Sequence, residues 1–165
     1  MIIEIDDWKF NVDIDATMAY SAEEAAAHCT CGYCRNFYAA VDWAYPDLRR
    51  FLADFGVHIE APEELMPYEP TVMDGYYAVC GKVLQFGSKP MTINGLFVTV
   101  ADPKVLHMNV YCPAPFFVLN TGMMSFPWVL DEPAEEVLST ANEPEFLQKM
   151  MNRLLQIGSD EKLKQ

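Results

Sequence analysis

Three of the five cysteines fall within six residues, in the run His28-Cys29-Thr30-Cys31-Gly32-Tyr33-Cys34-Arg35-Asn36. A thiolate is a soft metal ligand and also a nucleophile, so such a cluster has two chemistries open to it. One short, turn-rich loop can aim Cys29, Cys31 and Cys34 at a single cation, and a tetrahedral zinc site then needs one more ligand. His28 is nearest in sequence. Cys80, Cys112, His58 or His107 would serve equally if the fold brought one of them over the loop. An iron–sulfur cluster normally takes four cysteines at related spacing, so zinc is the better expectation. A second Cys-x-x-Cys would have specified the ligand set, and the chain has none.

The other chemistry is thiol–disulfide exchange. Cys31-Gly32-Tyr33-Cys34 leads into a helical pattern, and a helix N-terminus stabilises a thiolate. Here Cys31 would attack and Cys34 resolve. The four residues resemble the glutaredoxin and thioredoxin active-site spacing, in which a strand feeds the motif. In this chain the preceding Glu23-Glu24-Ala25-Ala26-Ala27 reads as helix, a departure from that pattern. A third reading has three reduced thiols in a tight turn, with Tyr33 and Phe37 packed in the core. Cys80 and Cys112, in apolar surroundings, read as small buried hydrophobes.

No other constellation reaches a working spacing. Glu23/Glu24, Glu63/Glu64 and Glu135/Glu136 are adjacent in sequence, whereas acid–base catalysis needs carboxylates converging across a cleft. Gly81 and Gly87 form no phosphate loop, and Gly122 and Ser125 form no nucleophile elbow.

The 165 residues suit one domain with a sizeable core, and 52% hydrophobic content is too high for a disordered chain. The net charge is −13, concentrated in residues 1–70, where 14 acidic residues face 4 basic ones. Such a surface repels phosphate backbones and anionic lipid, so the partners expected are a protein or a small molecule, not nucleic acid or a membrane. Met1 to Asp7 lacks the basic start and apolar stretch of a signal peptide, and no run approaches the roughly 18 apolar residues of a membrane span. The expected compartment is the cytoplasm, where five cysteines, an odd number, are poor evidence for a disulfide framework.

The elements that must position the cluster follow from periodicity. Ile3, Ile5, Phe10, Val12 and Ile14 alternate around Asp6-Asp7, as in an opening hairpin. Ser21-Ala22-Glu23-Glu24 has capping-box spacing and predicts a short helix over 22–27, ahead of the cysteine loop at 28–36. Tyr33, Phe37 and Val41 share a helical face until Tyr45-Pro46 ends it. Pro46 then opens a helix with Leu48, Phe51, Leu52 and Phe55 as its stripe, and Gly56 stops it. Residues 60–70, with three prolines and four glutamates, read as an acidic loop.

From Thr71 the period becomes two. Tyr77, Val79 and Val83 oppose Ala78, Cys80 and Leu84, and Asn94-Gly95 makes a hairpin turn between Met91–Ile93 and Leu96–Val100. Leu106, Met108 and Val110 alternate as a further strand. Phe116–Leu119, a turn at Asn120-Thr121-Gly122, and Phe126–Leu130 make a last pair. Phe146, Leu147, Met150, Met151, Leu154 and Leu155 lie at helical spacing behind Asn142 and Pro144. The expected class is α+β: a hairpin and short helices, an antiparallel sheet of about five or six strands, and a closing C-terminal helix. One domain spans 1–133. The amphipathic segment 134–165 packs on that domain or on a partner, such as a second copy of the chain.

The run Cys29 to Phe37, then Phe51-Leu52 with Phe55-Gly56-Val57, then Pro127-Trp128-Val129-Leu130-Asp131-Glu132-Pro133, resembles a bacterial protein family built on a Cys-x-Cys-x-x-Cys-Arg-Asn-Phe core. That family is a domain of unknown function, so the resemblance implies only that the cysteine loop and the Pro127-Trp128 segment belong to one fold. The residues themselves favour a binding or interaction module whose loop is clipped by zinc. The alternative is a thiol–disulfide oxidoreductase using Cys31 and Cys34.

Overall fold

In the computed structural model the described residues are 1–27 and 29–134. The chain divides into two units, Met1–Glu132 and Pro133–Gln165, and the expected closing helix of the second lies outside the described residues. Among its described residues the first unit is α+β, with three helices and a seven-stranded antiparallel sheet.

β1 (Ile2–Ile5) and β2 (Trp8–Val12) form the opening hairpin, with Asp6 at a positive φ in its turn. This hairpin is part of the sheet, because β2 pairs with the second half of β4 (Val72–Gln85). The two strands approach closely at Gly81, whose φ is +149° and where a Cβ would stand 2.2 Å from the Asn11 carbonyl oxygen. Any side chain there would separate the hairpin from the sheet.

Three helices follow: α1 (Ile14–Ala26), α2 (Gly32–Ala44) and α3 (Pro46–Asp54). The first is twice as long as expected. Its cap is Asp13, whose side chain accepts from the Ala16 N–H, so Ile14 opens a helix and does not extend the hairpin. Ser21 therefore lies inside α1, buried, and its oxygen accepts the His58 N–H at 2.8 Å. The break at Tyr45-Pro46 falls where proline places it, and the Tyr45 hydroxyl locks it to the sheet by donating to the Ser125 carbonyl at 2.8 Å and accepting the Ser125 N–H at 2.7 Å. Gly56, at φ +81°, ends α3.

Residues 64–69 are a strand, β3 (Glu64–Glu69), antiparallel to the start of β4, and the expected acidic loop is corrected to that extent. Its alternation is masked by glutamates and by Pro67, which a strand at the margin of a sheet tolerates. β5 (Met91–Ile93) and β6 (Leu96–Ala101) meet at Asn94-Gly95, both at positive φ. β7 (Phe116–Ser125) runs straight through the expected turn at 120–122 and pairs with β4 on one side and β6 on the other. Phe126 to Leu130 is not a strand, and neither is 106–110. The sheet order is β1-β2-β4-β7-β6-β5, with β3 also on β4.

Alternation along β4 divides the core. Tyr77 and Val79 join Phe10, Phe37, Leu52, Phe55 and Leu119 in the main cluster, where Phe10 stacks on Phe117 at 5.2 Å and meets the edge of Phe55 at 5.3 Å. On the opposite face Tyr76, Ala78 and Cys80 are covered by α1 and by Leu106, Met108, Val110 and Cys112. The segment 102–115 therefore lies over the sheet and does not extend it. Its alternation is a half-buried chain folding back through turns at Asp102 and Pro103, which accept the Leu106 and Met108 N–H groups.

Candidate functional site

The loop between α1 and α2 delivers the cysteines. Cys31 is the residue before α2, and its carbonyl accepts the Arg35 N–H, the first turn of the helix. Cys34 lies three residues on, inside that turn, so the helical twist turns it back toward Cys31 while the loop carries Cys29 over both. The Sγ atoms of Cys29, Cys31 and Cys34 all lie within 4.8 Å of one another. Sulfurs around a tetrahedral zinc at about 2.3 Å stand roughly 3.8 Å apart, so closing the loop on a cation takes small side-chain movements and no refolding. The three thiols could hold a metal ion.

The environment grades the three. Cys29 and Cys31 are exposed and Cys34 is half-buried. The backbone N–H of Cys31 holds the Cys29 thiol below the usual thiol range, against a smaller opposing effect of burial and with help from the other two thiols. Burial, and then hydrogen bonding to Cys31 and Cys29, pushes Cys34 up. Tyr38, one turn beyond Cys34 on α2, is pushed up to about 12 by burial and by the sulfur charge nearby. Cys34 and Tyr38 thus form the inner wall of the cluster, and Cys29 and Cys31 its solvent side.

The next three residues anchor the loop. Arg35 donates from Nε to the Thr30 carbonyl at 3.0 Å and pairs with the Glu132 carboxylate, tying the loop to the far end of the unit. Asn36 is fully buried, and its side chain donates to the Pro127 carbonyl at 3.2 Å and accepts the Val129 N–H at 2.7 Å. Phe37 fills the core against Phe126, ring centroids 5.9 Å apart. Trp128 closes the segment by donating to the Glu132 carbonyl at 2.7 Å. Within Cys-Arg-Asn-Phe the first residue faces the cluster and the other three fasten its helix to 126–132. The only sequence signal for Asn36 was a polar residue on the buried side of the apolar stripe.

Among the described residues no fourth ligand joins the three sulfurs. His58 and His107 are exposed and stand outside the group, and His28 lies outside the described residues. Cys80 and Cys112 are elsewhere, on the second face of the sheet, with Sγ atoms 3.0 Å apart. Beside them the Tyr20 hydroxyl donates to Glu63 at 2.9 Å, and burial raises that carboxyl to about 7. Sequence reasoning placed both cysteines correctly in the interior but not together, because 32 residues and a change of element separate them.

No helix among the described residues is long and apolar enough to cross a membrane. No family model, curated protein or solved structure matches the chain.

Proposed function

We propose that the chain is a binding module whose cysteine loop is clipped by a zinc ion held by Cys29, Cys31 and Cys34, with His28 or a ligand from a partner completing the tetrahedron. The convergence of three sulfurs within 4.8 Å carries this reading. Exposure of Cys29 and Cys31 supports it, since the open side of the cluster faces outward, where a partner's ligand has access. The acidic charge of the chain favours a protein or small-molecule partner over nucleic acid. Membership of the bacterial family sharing the Cys-x-Cys-x-x-Cys-Arg-Asn-Phe core is part of the same proposal.

A second reading, thiol–disulfide exchange, draws on Cys31 standing exposed before a helix with Cys34 half-buried behind it. The element entering the motif is α1, not a strand, which sets the loop apart from the thioredoxin arrangement. Elemental analysis of protein purified without added metal, beside a thiol titration, separates the two. Near-stoichiometric zinc, lost in the Cys29→Ser/Cys31→Ser/Cys34→Ser variant, supports the clip. Five freely titrating thiols without metal overturn it, and a Cys31–Cys34 disulfide that cycles with a dithiol replaces it with the redox reading.

A further inference from the structure

We propose that Cys80 and Cys112 form a second, independent thiol site, a pair that closes reversibly into a disulfide by exchange with a low-molecular-weight disulfide. Their Sγ atoms are 3.0 Å apart and the residues are 3% and 5% exposed. A disulfide of about 2.05 Å therefore requires an approach of roughly 1 Å.

The backbones on both sides are already fixed. Cys80 donates its N–H to the Thr17 hydroxyl at 3.1 Å, and its carbonyl accepts the Asp13 N–H at 2.9 Å, so the start of α1 holds it in place. The segment carrying Cys112 is pinned by the Pro115 carbonyl, which accepts the Gly81 N–H at 2.7 Å. That single bond, one residue after Cys80 and three after Cys112, registers 112–115 against β4. Two sulfurs alone make a poor metal site, and the neighbouring carboxylate of Glu63 is engaged by Tyr20.

A cavity of about 950 Å³ supplies the approach. Cys80 lines it together with Asn11, Asp13, Gly81, Pro113 and Pro115. Cys112 is not among its lining residues, and burial and the adjoining Cys80 thiol keep it protonated. Of the pair, Cys80 is the residue that borders the cavity, and in the proposed exchange its thiol attacks first. Its sulfur, after losing its proton to solvent, bonds to one sulfur of the incoming disulfide, and the other leaves as a thiolate that takes up a proton. The Cys112 sulfur then displaces the second small thiolate from Cys80, and its own proton goes to that leaving group. Two protein thiols are oxidised by two electrons and one small disulfide is reduced to two thiols.

The test uses the full chain exposed to oxidised glutathione, then blocked with iodoacetamide, digested and mapped by mass spectrometry. A linked Cys80/Cys112 peptide pair should accumulate, disappear with dithiothreitol and return on a second exposure. The same link should form in the Cys29→Ser/Cys31→Ser/Cys34→Ser chain, which isolates it from the loop. Cys112→Ser should trap glutathione on Cys80; should that variant not fold, the wild-type map decides. Recovery of Cys80 and Cys112 as single alkylated residues, in the yield of an untreated control, overturns the proposal. So does a link to a loop cysteine in place of the pair, or a Cys80–Cys112 bond that dithiothreitol does not open in the folded chain.

Discussion

Asn36 and Arg35 sit side by side on α2 and do unequal work. The Asn36 amide satisfies the Pro127 carbonyl and the Val129 N–H in a fully buried position. Asn36→Ala leaves both without partners and should cost about 1–3 kcal/mol in urea denaturation. Arg35 pairs with Glu132 where both side chains are well exposed, at 45% and 38%, so Arg35→Ala should cost under about 1 kcal/mol. A larger loss from Arg35 than from Asn36 would refute this ordering. Glu63 carries a pH dependence. Burial lifts its carboxyl from 4.5 to about 7, offset in part by the Tyr20 hydroxyl and reinforced by Glu24. The folded chain then holds this proton more tightly than the unfolded chain, so its contribution is most favourable below pH 4.5 and declines as pH rises through about 7. Glu63→Gln should flatten the decline and melt above wild type at pH 8, with a smaller difference at pH 4.5. A Gln variant that melts lower at pH 8 would contradict this account.

Among the elements, the hairpin turn and the β2/β4 crossing make a matched contrast. Gly95 has φ +86° with nothing within 4 Å of a Cβ, so Gly95→Ala meets only the backbone penalty of about 1–2 kcal/mol. Gly81→Ala adds a clash with the Asn11 carbonyl at 2.2 Å to its own positive φ, and should cost more than about 3 kcal/mol or detach the β1/β2 hairpin. Equal denaturation midpoints for the two variants would rule this out. The same contrast explains which elements could be read in advance. Asn94-Gly95 declares its turn through two residues that accept positive φ, and Pro46 ends α2 through its own ring. β3 and the 102–115 segment make no such local declaration. The first is a strand because β4 offers a hydrogen-bonding edge, and the second is not one because it lies over the sheet face.

For the molecule as a whole, the proposed zinc clip would link metal binding to folding. A ligand that binds only the folded chain, at a hundred times its dissociation constant, adds about 2.7 kcal/mol. Chelation of the zinc-loaded protein should therefore lower the melting temperature by several degrees. The triple Cys→Ser variant should show no response to chelator, and an equal response in both would exclude the loop as the site. The unit Met1–Glu132 carries both faces of the sheet and the cysteine loop. A chain truncated after Pro133 should keep its circular dichroism spectrum and its metal content, and loss of either would show that 134–165 completes the fold or the site.

Residues close in sequence decided the parts of this protein that depend on a few dihedral angles. The spacing of three sulfurs within six residues put them within reach of one another in a tight turn before a helix, and the alternation along β4 had to send Cys80 and Tyr77 to opposite faces. Tertiary structure decided what depends on contacts between distant segments. It brought Asn36 to Val129, Cys80 to Cys112 and Tyr20 to Glu63. Each of those contacts requires a strand register and a sheet order that no local pattern encodes, because hydrophobic burial specifies that a residue goes inside without specifying which neighbour it meets there.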